Sequence, residues 1–397
     1  AIGWFPPGPC DWNNAQLKIG YLTSAVADDE AAGRMLMGLS KHLDAKEVKL
    51  HVYSTEAAVR REKQSFGQGP FVAASGKRGK ETLDTMQRRK VAFWSAALDH
   101  DLATCAKELA SQIFRDQIDV LIVDANLADP IAAVVSQWPV ARAKLNLVRR
   151  TPLLGGGMNG AVYVESALHR ADSSAWAKRS VMSHFIQEGV EAPADSAAAP
   201  QRSAFGIPDQ SIILATVANE ADGTMSDDFI DAIVNSLRQH PLSVLLVAGE
   251  NDGGTLKRRL DAAGLGKRVG FAGKRKDICE FLRMADVYLT PFPRCTATGT
   301  LAAMAAGRAV VALAGDAEDP QSPVSILGEE FVSEDTGSYL DRVGRLVRDP
   351  ALRAKTGEEM KSRAIETFGF EHTAAAIEQI CRDLLPAKEA APASKAA

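Results

Sequence analysis

The sequence has little cysteine and no long apolar run, and each absence narrows the class of protein. Its five cysteines are scattered through 397 residues without a Cys-x-x-Cys spacing, which excludes a common zinc site and a disulfide framework. No apolar run approaches the roughly 20 residues that cross a bilayer, and the start AIGWFPPGPCDWNN lacks the parts of a signal peptide. We therefore expect a cytoplasmic protein with reduced thiols and no membrane span, and the linker-like start suggests a fragment of a longer protein.

Strong charge is also absent. The net charge of -4 gives no sign of a nucleic-acid partner or of an anionic membrane surface. The histidines, among them His169, His184 and His240, show no partner spacing, so we expect no metal. With 46% hydrophobic residues, the chain is long enough for two domains with full cores.

Apolar runs alternate with helical patterns in the first half of the chain. LKIGYLT (17–23), VKLHVYS (48–54) and DVLIVDA (119–125) are rich in β-branched residues, whereas 31–43 and 102–115 have helical spacing. This alternation predicts a parallel, doubly wound sheet.

The second half repeats the pattern after a segment rich in Pro, Ala and Ser. Strands are predicted at 211–218 and 243–249, and helices at 227–240 and 254–264. Residues 269–315 then read as two βα units. The sequence therefore predicts a second doubly wound sheet.

The loop Cys295–Gly299 is the best candidate for a ligand site. It lies between the apolar strand ADVYLTPF and the predicted helix LAAMAAG, which ends near Gly307. Ligands of open parallel sheets bind beyond the carboxyl ends of the strands, where a helix N-terminus offers free N–H groups to a phosphate. We therefore expect the loop 293–300 to bind the phosphates of a nucleotide sugar.

The order of these segments resembles the GT-B glycosyltransferases, and within them the O-linked N-acetylglucosamine transferase family and its bacterial protein-glycosylating relatives. The resemblance covers roughly residues 17–385. It is carried by LKIGYLTS, LLGGGMNGAVYVES, FGIPDQSIILATVAN, ADVYLTPFPRCTATGTLAAMAAGRAVVALAG and SYLDRVGRLVRDPALRAKTGEEMKSR, in that order. It implies an α/β protein with two doubly wound, Rossmann-like domains that face each other across a cleft.

The resemblance and the change of composition near residue 190 together predict the domain boundaries. We expect an N-terminal linker (1–16), an acceptor-side domain (17–190), a linker (191–203), a nucleotide-sugar domain (204–369), a C-terminal crossing helix (370–385) and a disordered tail (386–397).

Departures from the family fall at its site residues. After the first strand the family has a His, and Asp29 stands at about that place. The loop 295–301, CTATGTL, has Thr for the family's His and Leu for its Asp, and a family Lys within 219–224 has no counterpart. Where the wider GT-B pattern has two Glu, this chain has Arg294 and Ala302. The donor site is therefore either rebuilt or lost.

The resemblance and the residue types together give a set of candidate site residues. The catalytic candidates are Asp29 and Asp28, the donor-binding candidates are Arg275, Lys276, Arg294, Thr296, Thr298, Gly299 and Thr300, and the candidates for a cleft loop are Gly156, Gly157, Asn159 and Gly160. Other roles stay open for several of them. The two aspartates fit a helix N-cap, the basic residues fit a solvated surface, and the glycines fit a flexible crossing.

Three functions are compatible with these residues. The first is transfer of a sugar from a nucleotide donor, most plausibly a UDP sugar, to a protein side chain. The second is a pseudoenzyme that binds a partner without transfer, since the family's His, Lys and Asp are missing. The third is another GT-B enzyme such as a sugar epimerase, for which the loop region lacks paired carboxylates. The partners implied are a nucleotide sugar as substrate and an acceptor protein or peptide, without a cofactor.

Overall fold

A computed structural model gives the fold of the chain. It describes residues 4–6, 8, 12, 14–24, 26, 31–55, 80–95, 101–125, 129–149, 152, 157–164, 166–193, 201–217, 226–249, 254–273, 275 and 278–386. Two compact units divide the chain. The first comprises Ala1–Ile186 with Thr373–Ala397, and the second comprises Gln187–His372.

The first unit is built on a parallel sheet whose described strands have the order β3-β2-β1-β4-β5-β6-β7. The strands are β1 (Leu17–Thr23), β2 (Val48–Ser54), β3 (Ala92–Ser95), β4 (Val120–Asp124), β5 (Ala143–Val148), β6 (Gly160–Tyr163) and β7 (Met182–Phe185). The helices are α1 (Ala31–His42), α2 (Lys80–Arg88), α3 (Leu102–Arg115), α4 (Pro130–Val135) and α5 (Ser166–Ala177).

Burial explains why the first sheet is parallel and covered on both faces. All five residues of β4 and all six of β5 are buried. Helices on both faces of a sheet bury its strands completely, which gives continuous apolar runs instead of alternation. The helix α3 begins at an N-cap, Asp101, whose side chain accepts hydrogen bonds from the N–H groups of Ala103 and Thr104.

The segment before β1 packs in part against the first unit. Trp4 is buried, its Nε1 donates to Ser111 Oγ at 3.0 Å, and its ring stacks on Trp138 with 6.0 Å between centroids. Asn14 Nδ2 donates to the carbonyl oxygen of Gln117 at 2.9 Å. Trp4 and Asn14 are therefore held by the first unit, whereas Phe5 between them is exposed.

The second unit is built on a parallel sheet whose described strands have the order β10-β9-β8-β11-β12-β13. The strands are β8 (Ile212–Val217), β9 (Ser243–Ala248), β10 (Val269–Gly273), β11 (Val287–Leu289), β12 (Ala309–Leu313) and β13 (Val332–Ser333). The α-helices are α6 (Asp227–Gln239), α7 (Gly254–Ala262), α8 (Ile278–Leu282), α9 (Ala297–Ala305), α10 (Pro323–Leu327), α11 (Thr336–Arg348), α12 (Pro350–Phe368) and α13 (Phe370–Asp383), and 3₁₀ turns span Arg202–Phe205, Gly266–Arg268 and Glu329–Phe331.

Neighbouring residues of β8 point into different cores. Ile213 and Ala215 belong to one hydrophobic cluster, and Leu214 belongs to another on the opposite face. Because successive side chains of a strand alternate, both faces of this sheet are covered. The two sheets confirm the predicted α/β class with two doubly wound units.

The last helix, α13, starts in the second unit, and its larger part belongs to the first. A side chain at Gly160, the first residue of β6, would meet Leu384 just after this helix at 3.0 Å. Close packing of the C-terminal segment on β6 therefore depends on the glycine. In the described part of the chain, no helix is long and apolar enough to cross a membrane.

Candidate functional site

The N-terminus of α9 lies at the switch point of the second sheet. From β8 the chain continues to β9 on one side, whereas β11 lies on the other side of β8. The strands β8 and β11 end at Val217 and Leu289, and α9 begins at Ala297 after a short loop. Ligands of doubly wound sheets bind in the crevice at such a point.

Thr296 occupies the N-cap position of α9, but its side chain accepts no hydrogen bond from the first turn of the helix. Thr296 Oγ1 instead donates to the carbonyl oxygen of Val217 at 3.2 Å. The hydroxyl therefore ties the start of α9 to the end of β8. It leaves the first turn of the helix without a side-chain acceptor.

The first turn of α9 thus has free hydrogen-bond donors. Among the described residues, no acceptor is found for the N–H groups of Ala297, Thr298 and Gly299. The N–H of Thr300 already donates to the carbonyl oxygen of Thr296 at 3.0 Å, and the Thr300 side chain is buried. The role of Thr300 toward the donor stays a prediction, although its N–H is already used within the helix, which begins at Ala297 and not after Thr300. Three free N–H groups and the positive end of the helix dipole favour an anion.

Gly299 lets α9 approach the strands closely. A Cβ at this position would lie 2.6 Å from Thr296 Oγ1, 2.6 Å from the hydroxyl of Tyr288 and 2.9 Å from the Cβ of Val217. No side chain fits these distances without displacing the helix or the strands. The glycine therefore fixes the place of the free N–H groups.

Buried hydroxyl groups lie near the carboxyl ends of β8 and β11 and in α9. Among the described residues, no hydrogen-bond partner is found for the hydroxyls of Thr216 and Thr290, whereas the hydroxyl of Tyr288 interacts with Thr296, Thr300 and the backbone of Val217. Burial raises the pKa of Tyr288 above its ordinary value, so its hydroxyl stays protonated. Buried polar groups in native proteins are paired with protein, water or ligand. The unpaired hydroxyls of Thr216 and Thr290 therefore support a polar site at this edge.

The loop that leads into α9 is held from two sides. Ser226 Oγ, at the N-cap of α6, donates to the carbonyl oxygen of Phe292 at 2.5 Å. The Phe292 ring packs edge-on against Phe229 and Tyr339, at 5.3 and 5.2 Å between centroids. The hydroxyl of Tyr339 donates to the carbonyl oxygen of Thr290 at 3.4 Å. The loop is therefore positioned by rigid elements, as a binding site requires.

Two side chains of this loop differ in what they offer to a ligand. Arg294 is exposed, as is Thr298 in the first turn of α9. Cys295 is half-buried, and its Sγ donates to the carbonyl oxygen of Gln321 at 3.3 Å. Burial raises the pKa of the Cys295 thiol to about 11, which makes it a poor nucleophile at neutral pH. Arg294 and Thr298 thus stay available to bind an anion.

Four predicted residues lie outside the described residues, namely Asp28, Asp29, Gly156 and Lys276. Arg275 is described, and its guanidinium lies over the ring of Phe281 in α8 at 5.1 Å from the centroid. Such a cation–π contact explains its place without a ligand. The roles of these five residues toward donor or acceptor stay predictions.

Gly157, Asn159 and Gly160 lie at the edge of the first sheet opposite to the ligand edge. Asn159 Oδ1 accepts from the N–H of Lys144 at 2.9 Å, near the amino end of β5, and β6 begins at Gly160. All strands of a parallel sheet begin at the same edge, so residues just before a strand lie at that amino edge. The structure places these three residues at the amino edge of the first sheet, and their role in a cleft stays a prediction.

Gly157 has a structural role beside a buried lysine. Its φ is 96°, and a Cβ there would lie 2.7 Å from Lys144 Nζ. Lys144 is only 5% exposed, and its Nζ donates to the carbonyl oxygens of Ser136 at 2.7 Å and Trp138 at 2.9 Å. Lys144 therefore caps the C-terminus of α4. Burial lowers its pKa to about 8.

This lysine gives a pH-dependent contribution to stability. Its ordinary pKa is 10.5, so between pH 8 and 10.5 the unfolded state binds more protons than the folded state. Its contribution to the free energy of unfolding should therefore rise with pH, by roughly 1 to 3 kcal/mol between pH 7 and 10. Lys144→Met should lack this rise in urea titrations, whereas Lys49→Met, at an exposed position of β2, should follow the wild type. Parallel curves for wild type and Lys144→Met would contradict the assignment.

A buried charged cluster at the ligand edge of the first sheet was not predicted. The hydroxyl of Tyr21 hydrogen-bonds to Asp124 at the end of β4. Arg149, directly after β5, donates through Nε to both Asp124 oxygens at 3.1 and 3.2 Å and through Nη2 to the carbonyl oxygen of Ala31 at 3.3 Å. Burial and the charge of Asp124 raise the pKa of Tyr21 well above its ordinary value, so it remains a donor. In the sequence, this cluster is indicated by no more than an Asp at the end of a buried strand.

No group of three or more His, Cys, Asp or Glu side chains is placed to hold a metal ion in the described part of the chain. The expectation that the protein uses no metal or cofactor stays a prediction.

Comparison with protein families gives one match. Residues 212–349 match the model described as glycosyl transferases group 1. This range runs from the start of β8 to the N-cap of α12 and so contains the free first turn of α9. No curated protein sequence matches the chain.

Solved structures resemble the chain over nearly all of its length. A glycosyltransferase from Rickettsia africae has a TM-score of 0.64 at 13% identity, covering 95% of this chain and 100% of that chain. A mutant of the O-GlcNAc transferase from Thermobaculum terrenum has a TM-score of 0.61 at 16% identity, covering 96% and 70%. HepE from Anabaena, in complex with UDP and glucose, has a TM-score of 0.60 at 14% identity, covering 93% and 100%.

At these identities the structural matches show the fold alone, and the family match over residues 212–349 indicates a transferase. The narrower resemblance to protein-glycosylating enzymes is not decided by them. The chain therefore has the GT-B fold of glycosyltransferases, and its residues 212–349 match the glycosyl transferases group 1 family.

Proposed function

We propose that the protein is a glycosyltransferase that moves a sugar from a UDP-linked donor to a protein side chain. The observation that carries the proposal is the uncapped first turn of α9. Its free N–H groups lie at the switch point of the second sheet, within the residues that match glycosyl transferases group 1. A diphosphate is the anion that such a site fits.

The departing diphosphate determines the chemistry that the site must supply. When the bond between the sugar carbon and the phosphate oxygen breaks, negative charge grows on the diphosphate and must be stabilised. The N–H groups of Ala297, Thr298 and Gly299 and the dipole of α9 supply this stabilisation, and the exposed guanidinium of Arg294 adds positive charge. The acceptor hydroxyl attacks the sugar carbon and gives its proton to a base. Asp29, with Asp28 beside it, is our candidate for that base.

Two of the similar structures support the proposed donor and acceptor. HepE from Anabaena is solved with UDP and glucose, which supports a uridine nucleotide as the donor carrier. The similarity to the O-GlcNAc transferase from Thermobaculum terrenum covers 96% of this chain and supports a protein acceptor. We propose no nucleic-acid partner and no metal. The family match does not favour the non-catalytic alternative.

The free cysteines fit the proposal that the protein acts in the cytoplasm. Cys105, Cys279, Cys295 and Cys381 form no disulfide. Reduced thiols are the usual state in that compartment.

Donor turnover tests the proposed activity. The purified chain is incubated with UDP-N-acetylglucosamine or UDP-glucose, with an acceptor peptide library or with free monosaccharides, and released UDP is measured. Faster release with peptides, together with a mass increase of one sugar on a peptide, is the expected result. Release only with monosaccharides would contradict the protein acceptor. Absence of UDP binding and of release would contradict transfer and leave a fold that serves as an interaction surface.

Thr298→Val tests the binding site itself. The hydroxyl is exposed in the first turn of α9, where it can donate to a phosphate oxygen. Its loss should weaken UDP binding by about 1 to 2 kcal/mol, the magnitude of a hydrogen bond to a charged group. Thr336→Val, at an exposed first-turn position of α11, is the matched control and should bind UDP like the wild type. Equal affinities for the two variants in calorimetry would place the diphosphate elsewhere.

A further inference from the structure

A cavity lies in the second unit, at the edge of its sheet opposite to the first turn of α9. It has a volume of about 440 Å³, which is within the usual range for small-molecule sites. Asp286 and Arg308 line it and directly precede β11 and β12, so it lies at the amino ends of these parallel strands. It is lined entirely by residues of the second unit.

The helix α9 separates this cavity from the proposed donor site. The cavity is lined by Ala305 at the C-terminal end of α9, whereas the free N–H groups belong to its first turn. Nine helical residues span about 13 Å. The two sites are therefore distinct, and one small molecule at the first turn of α9 does not fill the cavity.

Positive charge dominates the cavity. Its charged lining consists of four cationic side chains and two anionic ones, namely Arg283, Arg308, Arg353, Lys361, Asp286 and Glu358. Asp286 accepts from Arg202 Nη2 at 2.9 Å and from the N–H of Ile213 at 2.8 Å, and its Oδ1 lies 4.0 Å from Arg353 Nε. One of the two anions is therefore balanced by Arg202 and Arg353. This leaves Arg283, Arg308 and Lys361 against the exposed Glu358. The balance of charge favours an anionic occupant.

The arginines of the cavity are held in place by backbone carbonyls. Arg308 donates through Nε to the carbonyl oxygen of Ala306 at 3.0 Å and through Nη1 to that of Ala285 at 3.0 Å. Arg353 donates through Nη1 to the carbonyl oxygen of Leu346 at 2.7 Å. Their guanidinium groups are thus fixed before a ligand arrives, which lowers the entropy cost of binding.

The electrostatic environment of Arg308 also favours an anionic ligand. Burial lowers its pKa, as do the positive charges of Arg283 and Arg202, against the opposing effect of Asp286. Cations that are held close together repel one another. An anion bound among them offsets this repulsion and therefore binds favourably. Arginine clusters bind phosphate groups by charge-assisted hydrogen bonds.

We propose that this cavity binds a small phosphorylated molecule, of the size of a sugar phosphate, at a site separate from that of the nucleotide-sugar donor. Arg283 and Lys361 supply charge to its phosphate, and Arg308 and Arg353 supply fixed donors. The site is polar, so the rest of the ligand is a hydroxylated group and not an apolar one.

Calorimetry with inorganic pyrophosphate tests the proposal, with excess UDP present to compete for the first turn of α9. The variant Arg283→Gln/Lys361→Gln removes two charges from the cavity and keeps the side chains long. We expect it to bind pyrophosphate at least about tenfold more weakly than the wild type, and we expect wild-type binding to weaken as salt is added.

Lys257→Gln/Lys355→Gln is the matched control, because it removes two exposed charges from α7 and α12 outside the cavity. It should bind pyrophosphate like the wild type. Thermal unfolding of both double variants shows whether each is folded, and Arg283→Gln alone replaces the first variant should it not fold. Equal affinities for the cavity variant and the control, or no binding of pyrophosphate by the wild type, would overturn the proposal.

Discussion

Asp124→Asn is expected to lower the free energy of unfolding by about 3 to 5 kcal/mol. The substitution keeps the shape of the side chain but removes the negative charge between the hydroxyl of Tyr21 and the guanidinium of Arg149. Asp124 is 6% exposed and Arg149 is 20% exposed, so the remaining positive charge is poorly compensated by water. Denaturation with urea, followed by circular dichroism, measures the loss.

Asp227→Asn is the matched control for that experiment. Its ion pair with Arg259 has the same separation of 3.1 Å, but the two side chains are 79% and 39% exposed. Exposed pairs contribute little, so we expect a change within about 0.5 kcal/mol. Arg149→Met combined with Asp124→Asn should recover part of the loss, because the cation that faced Asp124 is then removed as well. Equal losses for the two single variants would mean that the buried pair has no special role.

Gly299→Ala is expected to damage both the stability of the second unit and the binding of UDP. Its Cβ would lie 2.6 Å from the hydroxyl of Tyr288 and 2.9 Å from the Cβ of Val217, so α9 must move. Overpacking of this kind costs about 1 to 3 kcal/mol. Displacement of the free N–H groups should weaken UDP binding by at least about tenfold, because hydrogen bonds to a charged group depend on distance and angle.

Gly337→Ala offers a control at the same place in another helix. Gly337 lies in the first turn of α11, where the nearest atom to an added Cβ is an oxygen of the Asp335 N-cap at 3.2 Å, a contact that a small shift of this exposed carboxylate relieves. Alanine has the better helix propensity, so this variant should be as stable as the wild type or more stable. Melting temperatures and UDP titrations of the two variants should therefore diverge. Similar behaviour of both would show that the close contact at Gly299 does not position the site.

Hydrophobic pattern was sufficient to predict the long elements. The strand 17–23 and the helix 102–115 have the predicted bounds, and 48–54 is the second strand as expected. These segments carry their own signal, because buried parallel strands are continuous apolar runs and the helix has an apolar stripe. The short strands β3 and β7, at the two ends of the first sheet, carry four residues each and were not predicted.

The start of α9 shows where local pattern fails. Cys295–Gly299 was interpreted as a loop, because threonine and glycine are weak helix formers. In the structure the helix begins at Ala297, where Thr296 is bound to Val217 and Gly299 packs against Tyr288. Tertiary contacts thus override propensity at this point. The ligand edge was predictable, but which N–H groups remain free was not.

The pairing of Asp124 with Arg149 could not be predicted from the sequence, because it too depends on tertiary contacts. The two residues are 25 positions apart, on β4 and directly after β5, and meet only because these strands are neighbours. Likewise, the sequence shows a glycine-rich loop at 155–160 but not the edge of the sheet at which this loop ends. Both depend on the three-dimensional path of the chain.

A crystal structure with UDP tests most directly whether the first turn of α9 binds the diphosphate of the donor. We expect phosphate oxygens at about 3 Å from the backbone nitrogens of Ala297, Thr298 and Gly299, a normal hydrogen-bond distance. The same structure should show Arg294 turned toward the phosphates. A UDP molecule ordered anywhere else in the second unit, with these three N–H groups facing only water, would contradict the account.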